Sequence, residues 1–115
     1  MDWFNSFTLT VGLTGIIFWA LSTYMKRNPP HKINHLYGYR TKASMSSQER
    51  WDFAQEYSSD LLTHSGKMLM IGALVWMFLP NFPELVDVIL AVIIVIAACI
   101  HSIIQTEKAL KSKFG

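Results

Sequence analysis

Four histidines, one cysteine, eight carboxylates and ten Lys and Arg are the side chains here that can move protons, bind metal or carry charge. His31 and His35 stand four apart, the spacing at which two imidazoles on one helix face hold a metal. Pro29 and Pro30 precede them, however, and no acidic residue lies close by, so they read as loop residues. Cys99 is alone, which rules out an intramolecular disulfide and a cysteine cluster. The glycines form no GxGxxG or GxxxxGK phosphate loop. No nucleophile has a base beside it in a known pattern, so no catalytic residue, metal or cofactor is expected, and the chain does not read as an enzyme. A net charge of +2 is too mild for nucleic acid. Lys26-Arg27 with Tyr37-Gly38-Tyr39-Arg40 is basic and aromatic, but it lacks the strands that would present it to RNA.

The remaining candidates are ionisable residues inside apolar sequence, where a charge is costly and a functional role is the first hypothesis. Lys67 lies two turns into an apolar stretch and its long stem can snorkel to the interface. His64 and His101 fall toward the cytoplasmic ends of their helices, where they can meet Lys67, Gln105 and Glu107 in a polar mouth between helices. Asp87 reads as a first-turn acid complementing a helix dipole, and Cys99 as a small buried residue.

The elements that must position these residues follow from where the hydrophobicity sits. Hydrophobic residues make up 51% of the 115 positions and charged ones only 16%, against roughly 25% charged in ordinary globular domains. The apolar residues gather into three blocks, about 7–24, 61–79 and 85–104, each near the roughly 20 residues that cross a bilayer as helix. A lone strand cannot stand in lipid because its backbone groups stay unpaired, so all three are read as helices. In the first block Thr8, Thr10, Gly12, Thr14 and Gly15 suit a close helix contact. Met1-Asp2-Trp3 lacks the positive start of a signal peptide, and Lys26-Arg27 follow the block, so it is expected to stay as a span. Ser46 to Glu49 fits a capping box that opens the second helix, which runs to Leu79 before Pro80 and Pro83. Such a helix outruns the hydrocarbon, so its polar first turns, Gln48 to Asp60, must project beyond it. Along those turns Trp51, Ala54, Tyr57 or Ser58, and Leu61 form a narrow stripe suited to packing on the preceding loop.

Lys26, Arg27, Lys32, Arg40, Lys42 and Arg50 lie between the first two spans and Lys108, Lys111 and Lys113 after the third, whereas the link at 80–84 has no basic residue. The positive-inside bias then puts the amino terminus outside and the long loop and carboxyl tail in the cytoplasm. Trp3, Trp19, Tyr24, Trp76 and Phe82 near the span ends suit an aromatic belt.

The loop from Met25 to Met45 is longer than a helical membrane protein needs, and Ile33, Leu36, Tyr37 and Tyr39 give it anchoring surface. Gly38 allows a turn with positive φ, Asn34 can tie the turn's backbone, and Arg40 can stack on a tyrosine or fork onto a carboxylate or lipid phosphate. The string Asn34-x-x-Tyr37-Gly38-Tyr39-Arg40-Thr41, followed by Ser44, Ser47 and Trp51-x-x-Ala54, resembles the signature of the SdpI-like immunity family of small bacterial membrane proteins. That family usually has Pro before the Asn, where this chain has Ile33. It has Asn after the Trp-x-x-Ala, where Gln55 keeps the amide with a longer reach. The resemblance implies protection against a secreted peptide toxin of the sporulation-delaying type, and a receptor role in which a cytoplasmic transcriptional regulator is held at the membrane. It carries no catalytic residues.

The expectation is therefore an all-α protein, an integral membrane three-helix bundle whose second helix extends into the cytoplasm, forming one membrane domain over 1–115. The loop and helix start at 25–60 and a tail at 105–115 are cytoplasmic. The candidate binding residues are Asn34, Tyr37, Gly38, Tyr39, Arg40, Thr41, Trp51 and Gln55, with His64, Lys67 and His101 as intramembrane polar candidates. Membrane lipid, a peptide toxin, a cytoplasmic regulator and a second copy of the chain are the expected partners. The alternative is a small transport or lipid-binding protein with a polar pocket facing the cytoplasm.

Overall fold

A computed structural model describes residues 4–115. The expected belt member Trp3 lies outside the described residues, and Asp2 with it. Three helices account for most of the rest: α1 over Ser6–Arg27, α2 over Gln48–Met77 and α3 over Glu84–Phe114, with a 3₁₀ turn at Ser44–Ser46 and no strand among the described residues. The bundle measures 52 × 26 × 21 Å, and the 31 residues of α3, about 46 Å at 1.5 Å per residue, account for most of its length.

Local chemistry sets the helix limits. Asn5 caps α1, its side chain accepting the Thr8 N–H at 2.8 Å. At the far end Lys26 and Arg27 complement the dipole, and the helix stops ahead of Pro29 and Pro30. The start of α2 corrects the expected capping box. Ser46 belongs to the 3₁₀ turn, and it is Ser47 that caps, accepting the Arg50 N–H at 3.1 Å. Two adjacent serines each satisfy the capping rule, and the 3₁₀ turn decides between them by consuming the first. The stretch 105–115, expected as a tail, forms the last turns of α3, where Lys111 and Lys113 again suit the dipole.

α1 and α2 run antiparallel and touch along their length. Thr8 Oγ1 donates to the Ala73 carbonyl at 3.4 Å, Thr63 Oγ1 donates to Ser22 Oγ at 2.7 Å, and Lys26 pairs with Asp60 at 2.9 Å. The last is an exposed pair that adds little. Between these contacts the backbones come closest at two glycines. A Cβ on Gly15 would sit 2.7 Å from the Gly66 carbonyl oxygen, and one on Gly66 would sit 2.8 Å from that of Gly15. Of the small residues singled out in the first apolar block, Gly15 and Thr8 make the contact expected of them, whereas Thr10 is exposed and Thr14 bonds the Thr10 carbonyl within α1. Phe7, Val11, Leu69, Ala73 and Ala91 form the core on one side of this crossing, with Trp76 stacked on Phe7 at 4.2 Å.

α3 packs more openly. Ile89, Ile93, Ile96, Ile100 and Ile103 are all exposed along it, a surface far too apolar for water. α1 and α3 are each long and apolar enough to cross a membrane. α2 is longer than α1 but falls short of that apolar character, because its first half is polar and His64 and Lys67 sit in its second.

The crossing gives a direct prediction. Gly66→Val should drive a side chain into the α1 backbone and cost about 1–3 kcal/mol of stability. Gly72→Ala meets no atom within 4 Å and should be neutral or stabilise by up to about 1 kcal/mol through helix propensity. Unfolding of the two purified variants in detergent separates these outcomes.

Candidate functional site

Residues 28–47 carry most of the irregular backbone, whose N–H and C=O groups need partners outside a helix. Asn34 ties the first bend. Its Oδ1 accepts the N–H of Leu36 at 2.9 Å and of Tyr37 at 2.7 Å, and its Nδ2 donates to the Lys32 carbonyl at 2.9 Å. Ser44, fully buried, ties the last bend. Its Oγ accepts the Thr41 N–H at 2.8 Å and lies within donating distance of the Tyr39 and Thr41 carbonyls, while Thr41 Oγ1 accepts the Ser44 N–H at 3.2 Å.

One face of α2 fixes the middle of the loop. Gln48 donates to the His31 carbonyl at 2.6 Å and to Asp52 at 2.7 Å. Trp51, with no exposed surface, donates its indole N–H to the Pro30 carbonyl. Gln55, 5% exposed, accepts the Tyr39 N–H at 2.6 Å and donates to the Tyr39 carbonyl at 2.7 Å. A side-chain amide thereby reproduces the paired bonds of an antiparallel strand residue. Beside it Gly38 has φ +102°, and a Cβ there would lie 2.5 Å from Gln55 Oε1 and 2.8 Å from Pro30 Cγ. Both the backbone angle and the space require glycine.

The two tyrosines reach in opposite directions. Tyr37 donates to the Asn28 carbonyl at 2.7 Å and meets Tyr24 edge-on at 6.0 Å, closing the loop on α1. Tyr39 donates to the Ile103 carbonyl at 3.4 Å, closing it on α3. Burial, and then the Glu107 charge, push the Tyr39 phenol up to about 12, with a bond to Thr41 opposing them, and partial burial with Tyr24 raises Tyr37 as well. Both phenols stay neutral donors through the physiological range. The α3 terminus joins the same assembly: Arg50 donates to the Phe114 carbonyl at 3.2 Å, and Lys113 lies over the Phe53 ring at 4.6 Å.

Of the candidates read from sequence, Asn34, Tyr37, Gly38, Tyr39, Thr41, Trp51 and Gln55 thus meet in one network. Arg40 is exposed and donates from Nη1 to the His35 carbonyl, with no tyrosine stack and no carboxylate among the described residues. His64, Lys67 and His101 are also exposed, and no hydrogen bond or ion pair among the described residues joins them to one another or to Gln105 and Glu107. The polar contact between α2 and α3 at that level is Ser65 with Ser102, 3.5 Å apart. No group of three or more His, Cys, Asp or Glu able to hold a metal occurs among the described residues. Pro30 and Gln48 are anchors that sequence reasoning missed. The signal was the spacing of Gln48, Trp51 and Gln55, which share one helix face.

Two grooves flank the network. One, of 480 Å³, lies between the Pro29–His31 segment and the Asp52, Glu56 and Asp60 face of α2. The other, of 360 Å³, lies under Leu36 to Tyr39 between α1 and α3.

The family model described as the SdpI/YfhL protein family matches residues 31–106, which include every candidate residue above. A protein of Bacillus subtilis strain 168 described as uncharacterized protein YfhL is 41% identical over 87 residues, 76% of this chain and 73% of that one. No solved structure matches.

Removing the Gln55 amide with Gln55→Ala leaves both Tyr39 backbone groups without partners and should cost about 1–3 kcal/mol for each that water does not reach. Gly38→Ala should cost at least as much. Unfolding in detergent, with trypsin cleavage after Arg40 as a local probe, reads both. The Tyr39 phenol also makes stability depend on pH. Its folded value lies above the unfolded 10.0, so its contribution is complete below pH 10 and is lost as pH rises toward 12. Tyr39→Phe should flatten that alkaline decline in a pH-dependent melt.

Proposed function

Because the chain belongs to the SdpI/YfhL protein family and carries two helices fit to cross a membrane, making it a membrane protein of that family, we propose that it protects its cell against a secreted peptide toxin and holds a cytoplasmic regulator at the membrane. In this reading it acts by binding rather than by catalysis. It crosses the membrane three times, with α2 as the middle span and the amino terminus outside. The loop, the start of α2 and the end of α3 then form a cytoplasmic head.

The observation that carries the proposal is the construction of that head. Trp51 and Gln55 are buried and lock the loop to α2, and the locked loop holds Lys32, His35, Leu36, Arg40 and Lys42 on its exposed side. A rigid loop with a basic outer edge is suited to recognition, since little ordering remains to be done on binding. The orientation draws support from Arg50 bonded to Phe114, which sets the basic end of α3 beside the basic loop. Nine of the ten Lys and Arg then gather at one end of the molecule.

A toxin-challenge growth assay in cells with and without the gene tests the proposal; equal survival refutes immunity to that toxin. Arg40→Ala should weaken protection at unchanged membrane levels. Trp51→Ala should instead lower those levels, because emptying a fully buried indole site costs about 3–5 kcal/mol. Topology is read by replacing Cys99 and placing single cysteines at Lys42 and Asn81. An impermeant reagent applied outside should label the second and spare the first.

A further inference from the structure

The 360 Å³ groove is built from all three helices and the loop. Leu21 and Met25 of α1 form one wall and Ser102 and Ile103 of α3 the other, with Leu62 on the α2 floor and Tyr37 and Tyr39 as the roof. Its polar side chains already have partners inside the protein. Ser58 Oγ donates to the Gln55 carbonyl, Ser102 meets Ser65, Tyr37 donates to Asn28, and Tyr39 to Ile103. What the groove offers an occupant is therefore carbon.

Its position says which carbon. Leu21 lies near the end of the apolar part of α1, about one and a half turns before Lys26 and Arg27, and Ile103 lies near the end of the apolar part of α3, about a turn before Glu107 and Lys108. The groove thus sits where hydrocarbon gives way to headgroups. Beside it Leu36 is 92% exposed on a loop whose backbone Asn34 holds in place, which suits a side chain set into the headgroup boundary. Residues 26–42 carry five Lys and Arg and no Asp or Glu. Arg40 directly follows Tyr39, is exposed, and has only one N–H engaged, with the His35 carbonyl.

We propose that this groove binds one acyl chain of an anionic phospholipid, whose phosphate is held by the free N–H groups of Arg40. The apolar walls select a chain, and Arg27, Lys32, Arg40 and Lys42, which have no ion pair among the described residues, select a negative headgroup. The inference is separate from toxin protection and stands or falls without it.

The test is native mass spectrometry of the full chain, purified in mild detergent and offered equal amounts of dioleoylphosphatidylglycerol and dioleoylphosphatidylcholine. The expected result is one bound phosphatidylglycerol, favoured about fivefold over phosphatidylcholine, the scale of one basic residue at an anionic surface. Arg40→Gln should keep a bound lipid and lose the preference. Ile103→Trp places an indole in the groove from its exposed wall, leaves the backbone carbonyl that Tyr39 uses, and should abolish retention of both lipids. Circular dichroism confirms that each variant is folded; if Ile103→Trp is not, the Arg40→Gln comparison decides. Equal retention of the two lipids by the unaltered protein, an unchanged preference in Arg40→Gln, or full retention by folded Ile103→Trp overturns the proposal. Displacement of the lipid by inorganic phosphate alone also overturns it, because the site would then be an anion site with no chain pocket.

Discussion

The Gln55 amide, closed on both backbone groups of Tyr39, is the contact on which the head of this protein depends. An irregular loop packed against helices must satisfy its backbone without a ladder, and a buried group left unpaired costs more than a bond gains. One side chain meets both needs at Tyr39, and its neighbours follow from it. Gly38 must lack a Cβ to let the amide in, Trp51 must lie one turn earlier to hold Pro30, and Ser44 must close the bend beyond. A Gln at 55 spans this gap with one methylene more than an Asn, so the distance between loop and helix is matched to the side chain that bridges it.

That dependence explains what the sequence disclosed and what it withheld. The helices were legible because apolar blocks and prolines mark them locally. The motif was legible as a string because the types that make turns, Asn, Gly and Ser, are recognisable one by one. Which residues bond to which was not legible, since the partners of Tyr39 and Pro30 lie sixteen and twenty-one positions away. Ser46 and Ser47 show the same limit on a small scale: both satisfy the capping rule, and a 3₁₀ turn that the sequence does not announce chooses between them. His64, Lys67 and His101 mark it on a larger one. Their shared level in the second and third apolar blocks suggested a cluster, but all three side chains are exposed.

The two ends of the bundle are built on different principles. At the Phe7 end, apolar side chains and the Phe7–Trp76 stack hold the helices, and few polar bonds are needed. At the loop end, side-chain amides, hydroxyls and cations over aromatic rings do that work, with Arg50 and Lys113 against Phe114 and Phe53. The first construction suits surroundings that offer no competing hydrogen bonds. The second suits an interface, where a bond must be geometrically fixed to outlast exchange with water.

The crossing of α1 and α2 places a further constraint on function. The Gly15 and Gly66 backbones close the seam at their level, and the Thr8, Ser22 and Thr63 hydroxyls along it bond neighbouring carbonyls and each other. Two grooves lie at the loop end, on either side of the Tyr39 clamp. One is bordered by the acidic face of α2 and the other by apolar walls beside a basic loop, so a single clamp holds two surfaces of opposite character apart. Because Gln55 lines the first and Tyr39 the second, a change that loosens their bond must alter both at once.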